Sequence, residues 1–149
     1  MTGVSECRTR SRMEDRGTSC TKGLTVGEKN VAALREVVVF YPCGGGSNVG
    51  LMTTEAVRIL VKEKRGKMAC LAGVGGHVPT MILNANAASK VVCIDGCPIQ
   101  CARKSLEHAG VKPHVSVVAT DIGVRKEYEL EYEWAKVERL AQILREILG

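Results

Sequence analysis

Three apolar runs in this chain each lead into a glycine-bearing loop that carries a cysteine, and that recurrence limits the folds open to it. VVVFYP (37–42) runs into CGGGSNVG (43–50), MACLAGVGG (68–76) carries its own glycines, and VVCI (91–94) breaks at Asp95-Gly96-Cys97. Short, continuous, β-branched runs suit strands that are covered on both faces. HVSVVAT (114–120) reads as a fourth. Between them lie helical patterns. Met52, Ala56, Ile59 and Leu60 recur at helical spacing and KEKRGK (62–67) closes that helix in charge. Pro79 opens a second helix through Ala88. A third starts at Pro98, buries Ile99, Ala102, Leu106 and Ala109, and stops at Gly110 with Pro113 beyond.

Strand, loop and helix in alternation imply a parallel sheet wrapped by helices. The expected fold is α/β: a small three-layer, flavodoxin- or Rossmann-like parallel sheet of about four strands with an amphipathic C-terminal helix. That last helix runs from about Glu133, with Trp134, Val137, Leu140, Ala141, Leu144 and Leu148 on its apolar stripe. Residues 126–132 stay open, because YELEYEW alternates like a strand. Residues 1–35 are polar and aperiodic and read as a flexible N-terminal extension, with Cys7 and Cys20 incidental to it; 36–149 read as a single domain.

Composition narrows the partners. Aromatics make up only 3% of the chain, too few for base-stacking platforms, and a net charge of +5 is too mild for a dedicated nucleic-acid surface. No apolar run reaches the roughly 18 residues that a membrane span needs. Arg8, Arg10, Arg12 and Arg16 come without an apolar segment of the signal-peptide kind, so a cytoplasmic location is expected. In that setting the seven cysteines read as thiols or metal ligands rather than as a disulfide framework.

Parallel sheets carry their sites beyond the carboxyl ends of the strands. Cys43 follows strand one, Cys70 lies at the end of strand two, and Cys97 and Cys101 follow strand three. In the order 2-1-3-4 the loops of Cys43 and Cys97 flank the switch point and meet. With Pro98 at the first helical position, Cys97 falls at or beside the N-cap, where unpaired N–H groups favour a thiolate, and Cys101 follows one turn on. Four thiolates at one edge suit tetrahedral zinc, with an iron–sulfur cluster or separate, incidental cysteines as alternatives. Helix N-termini, Arg103 and Lys104 would offset part of the negative charge.

Other residues weigh less. Cys93 lies inside a buried strand and reads as a small apolar core residue, or else as a resolving thiol or an additional ligand for a cluster. GGGSN (44–48) could cradle an anion, but it lacks the ending of a P-loop, and close backbone approach explains its glycines equally well. His77 sits on a loop assigned to the same carboxyl edge, where it could serve as a base or ligand, although a single loop histidine is more often merely solvated. Asp95 and Asp121 suit turn bonding to following amides. His108 and His114 show no partner in sequence. Cys97 and Arg103 also form a C-x5-R spacing of the kind used by cysteine-dependent phosphatases, although Pro98 removes one amide that such a loop needs.

YPCGGGSNVG (41–50), CLAGVGG (70–76) and IDGCPIQCAR (94–103) resemble, in order and separation, the DGC-domain family, named for the Asp-Gly-Cys seen here as Asp95-Gly96-Cys97. The resemblance spans roughly 37–125 and takes in VSVVATDIG after the last motif. It implies a four-cysteine zinc site at Cys43, Cys70, Cys97 and Cys101, and leaves Cys7, Cys20 and Cys93 outside it. Two classes of function follow. In one, the protein is a zinc-binding module with a structural, sensing or carrying role. In the other, it is a thiol enzyme with Cys97 as nucleophile and Cys101 or Cys43 resolving. A site closed by four protein ligands favours the first.

Overall fold

The computed structural model describes residues 37–149. The expected extension over 1–35, with Cys7 and Cys20, lies outside the described residues. Val38–Pro42 form β1, Lys67–Met68 β2, Lys90–Asp95 β3 and Val115–Val118 β4. Every pairing is parallel and the order is β2-β1-β3-β4, so β1 and β3 are the central strands. The helices are α1 (Asn48–Lys62), α2 (Leu71–Gly75), α3 (Pro79–Ala87), α4 (Cys101–His108) and α5 (Trp134–Leu148), with a 3-10 turn over Ala119–Ile122.

Alternation along β1 and β3 divides the interior into two cores, one on each face of the sheet. Phe40, Val92 and Ile94 pack with Met52, Val57 and Leu60 of α1 and Val137, Leu140 and Leu144 of α5. Val39, Tyr41, Val91 and Cys93 face the other way, onto Val74, Ala85, Ala102 and Leu106. The result is the expected three-layer α/β arrangement with a C-terminal helix. Each fully buried leucine contributes on the order of 1.5–3 kcal/mol through burial. Arg145 of α5 also reaches Glu63 at the end of α1, with Nη2 donating to Oε1 at 2.7 Å and Nε to Oε2 at 3.1 Å.

Four local expectations change. β2 is only two residues long, and the rest of 68–76 becomes α2, because the Cys70 sulfur accepts the Gly73 amide at 3.4 Å and caps a helical turn. α4 begins at Cys101 rather than Pro98. Gln100 takes a left-handed conformation (φ 56°), and Cys97–Gln100 form a turn closed by the Gln100 amide on the Cys97 carbonyl at 3.0 Å. Ile99 is therefore not in the helix and is 53% exposed. Trp134, at the start of α5, is likewise exposed. Residues 126–132 form no helix or strand.

Candidate metal centre

The carboxyl edge of the sheet is assembled by backbone contacts before any cysteine chemistry enters. The Cys43 amide donates to the Ile94 carbonyl at 2.9 Å, which continues the β1–β3 ladder one residue beyond β1. The two loops then close on one another through glycines. A Cβ placed at Gly50 would stand 2.4 Å from the Gly45 carbonyl oxygen, and one at Gly96 would stand 2.9 Å from the Gly50 nitrogen. Only glycine permits that approach.

The same contacts answer the question of an anion cradle. The Ser47 amide donates to the Gly45 carbonyl, Asn48 to Glu127, Val49 to the Asn48 side chain and Gly50 to the Ser47 hydroxyl. These N–H groups are taken by the protein itself. Asn48 does more: its Nδ2 donates to the Arg125 carbonyl at 2.9 Å and its Oδ1 accepts from the Glu127 amide at 2.8 Å. One buried side chain thus pins the connection between β4 and α5 to the start of α1.

Cys43 is half-buried, and its sulfur accepts the Gly96 amide at 3.2 Å, with the Thr53 hydroxyl at 3.9 Å. The first-strand loop and the Asp-Gly-Cys loop therefore meet at a sulfur, as the strand order requires. Cys70 is exposed at the N-cap of α2, its sulfur on the Gly73 amide. Cys101 is exposed at the first residue of α4. α2 packs against α4. Cys97 is half-buried and leans on the α1/α5 core, whereas Cys43 leans on the opposite one.

The four sulfurs thus share one edge without being gathered. Among the described residues, no group of three or more His, Cys, Asp or Glu side chains stands close enough together to hold a metal ion. The donor chemistry itself suits a thiophilic ion. Sulfur ligands are soft, and backbone N–H groups already aimed at two of them are the kind of outer-shell donors that steady a thiolate.

Asp95 is buried and serves as more than a turn residue. Its carboxylate accepts from the Ala102 amide at 2.7 Å, the Arg103 amide at 3.1 Å and the Cys93 thiol at 3.2 Å. It caps α4 from the end of β3, which is why the helix starts where it does. Burial foremost, then the charge of Asp95 and its hydrogen bond, push the Cys93 thiol well above its ordinary range, against an opposing hydrogen bond with Ser116. Cys93 is a protonated core residue. Tyr41, next to it in the same core, has its phenol pushed up to about 12 by burial, with a contribution from the charge of Cys70.

Two features expected at Cys97 belong elsewhere. The helix N-terminus lies at Cys101, and its first amides are already held by Asp95. Within the C-x5-R segment the Ala102 and Arg103 amides donate to Asp95, and the Arg103 Nε donates to Glu107 at 2.8 Å. His77 also leaves the carboxyl edge. It follows α2 and pairs with His108, the last residue of α4. His114 is structural, its Nδ1 accepting the Val91 amide at 2.9 Å. Asp121 is exposed in the 3-10 turn. The role of Asp95 as a remote cap was hidden in sequence by the intervening Pro98; the Asp residue seven positions before Ala102 is its only trace.

The family model described as the DGC domain matches residues 39–144. The chain is 32% identical over 108 residues to the anaerobic and virulence modulator AnvM of Pseudomonas aeruginosa, an alignment covering 72% of this chain and 82% of that protein. No solved structure matches the chain.

Proposed function

The chain belongs to the DGC-domain family, and from that premise we propose that it is a zinc-binding module whose ligands are the thiolates of Cys43, Cys70, Cys97 and Cys101. The observation that carries this reading is the Gly96 amide on the Cys43 sulfur, which joins two cysteine-bearing loops at one donor atom. Cys70 and Cys101 stand on packed neighbouring helices at the same edge. Binding draws the four together rather than filling a finished cage, so metal affinity and the order of the edge rise and fall together. Zinc would supply a tie between loops that the protein otherwise joins by hydrogen bonds.

A binding or sensing role suits these features better than catalysis. Cys97 lacks the helix N-terminus that would activate it, and a site with four protein ligands has no open position for a substrate. The relative's name describes a modulator, which supports the same class. The test is elemental analysis of protein purified without added metal, expected to give about one zinc per chain and a colourless solution. A brown preparation would assign the site to an iron–sulfur cluster. Metal-free protein whose thermal midpoint does not move on adding zinc would overturn the reading.

A further inference from the structure

Away from the cysteine edge, the rings of His77 and His108 stand edge to face, with centroids 5.1 Å apart and planes at 83°. We propose that they form a second cation site, a surface chelate for a borderline divalent ion of the nickel, copper or zinc kind. Imidazole nitrogen is the donor such ions prefer outside thiolate sites.

The spacing supports it. With metal–nitrogen bonds of roughly 2.0–2.1 Å and a tetrahedral angle, two chelating imidazoles have ring centres about 5.2 Å apart. The backbone supports it independently. The His77 amide donates to the Val74 carbonyl and the Val78 amide to the Gly73 carbonyl, both at 2.9 Å, which is the double bond of a Schellman ending. His77 occupies the left-handed position of that motif at φ 55°, where glycine is ordinary. A histidine held in that strained conformation is turned toward α4. The packing follows: a Cβ at Gly75 would lie 3.8 Å from the Ser105 hydroxyl, and Ser105 and His108 are three residues apart on one face of α4.

The chelate would join the C-terminal ends of α2 and α4. The N-terminal ends of the same two helices carry Cys70 and Cys101. The remaining coordination positions belong to water, so the ion is exchangeable.

Nickel titration of the zinc-loaded full chain, followed by NMR of the histidine side chains, tests the site because the readout is each histidine's own signal rather than the total metal bound. His77 and His108 should broaden together, at the same nickel concentration, while His114 does not respond. His77→Ala should move the response of His108 to at least about tenfold higher nickel, a loss of roughly 1.4 kcal/mol. His108→Phe retains an aromatic edge contact, so it should preserve the metal-free thermal midpoint while moving the His77 response by a similar factor. Independent responses of the two histidines, or a His77 response unchanged by His108→Phe, would overturn the proposal.

Discussion

Gly96 rests against the backbone of Gly50 so closely that a Cβ on it would stand 2.9 Å from the Gly50 nitrogen, and its amide points at the sulfur of Cys43. Two glycines separated by 45 intervening residues therefore set the distance between the first and third cysteine loops. Gly96→Ala should cost about 1–3 kcal/mol, as overpacking against backbone does, and should lower zinc content as well. Gly46 has open space around a Cβ. Gly46→Ala should fall within about 0.5 kcal/mol of the parent. Denaturant melts of both, alongside metal analysis, check the contrast; equal effects would remove the special status of Gly96.

The cysteines should separate into two groups. Cys43→Ser, Cys70→Ser, Cys97→Ser and Cys101→Ser should each lose zinc, because a hydroxyl is a poor zinc ligand. Cys93→Ser should keep it, since Cys93 faces Asp95 inside the core. Zinc lost from Cys93→Ser and retained in Cys97→Ser would invert the assignment.

Asp95 should matter for α4 as much as for the loop that it begins. Asp95→Ala leaves one buried and one part-buried helical amide without their acceptor and should cost on the order of 1–3 kcal/mol. The amides of Ala102 and Arg103 should lose hydrogen-exchange protection first. Unchanged protection there would mean that the cap is not what starts the helix.

Much of this arrangement is legible in the sequence, and the failures have identifiable causes. The strand order follows from apolar runs alternating with helical ones, and it correctly brings Cys43 to the Asp-Gly-Cys loop. Pro98 misleads because proline also suits turns, and a carboxylate seven residues upstream of Ala102 can cap a helix as well as a neighbouring one can. α2 is missed because its N-cap is a sulfur and its length is five residues, below what periodicity detects. His77 is misplaced for the same reason: the hidden helix carries it away from the edge. Residues 126–132 alternate in sequence yet form no strand: the segment is held at Glu127 by the side chain of Asn48 rather than by pairing with the sheet.

Alkaline pH should weaken the fold through Cys93 and Tyr41. Both groups lose their protons at lower pH in the unfolded chain than in the native one, so the unfolded state binds fewer protons as pH rises and stability falls. For Cys93 the decline starts near its ordinary value of 9.0, and for Tyr41 it runs from 10.0 to about 12. Each group contributes at most about 1.4 kcal/mol per pH unit within its window. Cys93→Val removes one ionisation and should flatten the curve above pH 9.0 relative to the parent, as read by urea melts across pH. Parallel curves would show that the buried thiol does not titrate out of register with the unfolded chain.

The Asn48 bonds to Arg125 and Glu127 join residues 77 and 79 positions apart. Contacts between such distant parts of the chain form late, because most of the intervening chain must already be ordered before its ends can meet. During synthesis, the sheet and the three cysteine loops leave the ribosome ahead of the segment that will be fastened beside them. The thiols therefore meet the surrounding ions before the strap that closes over their edge exists.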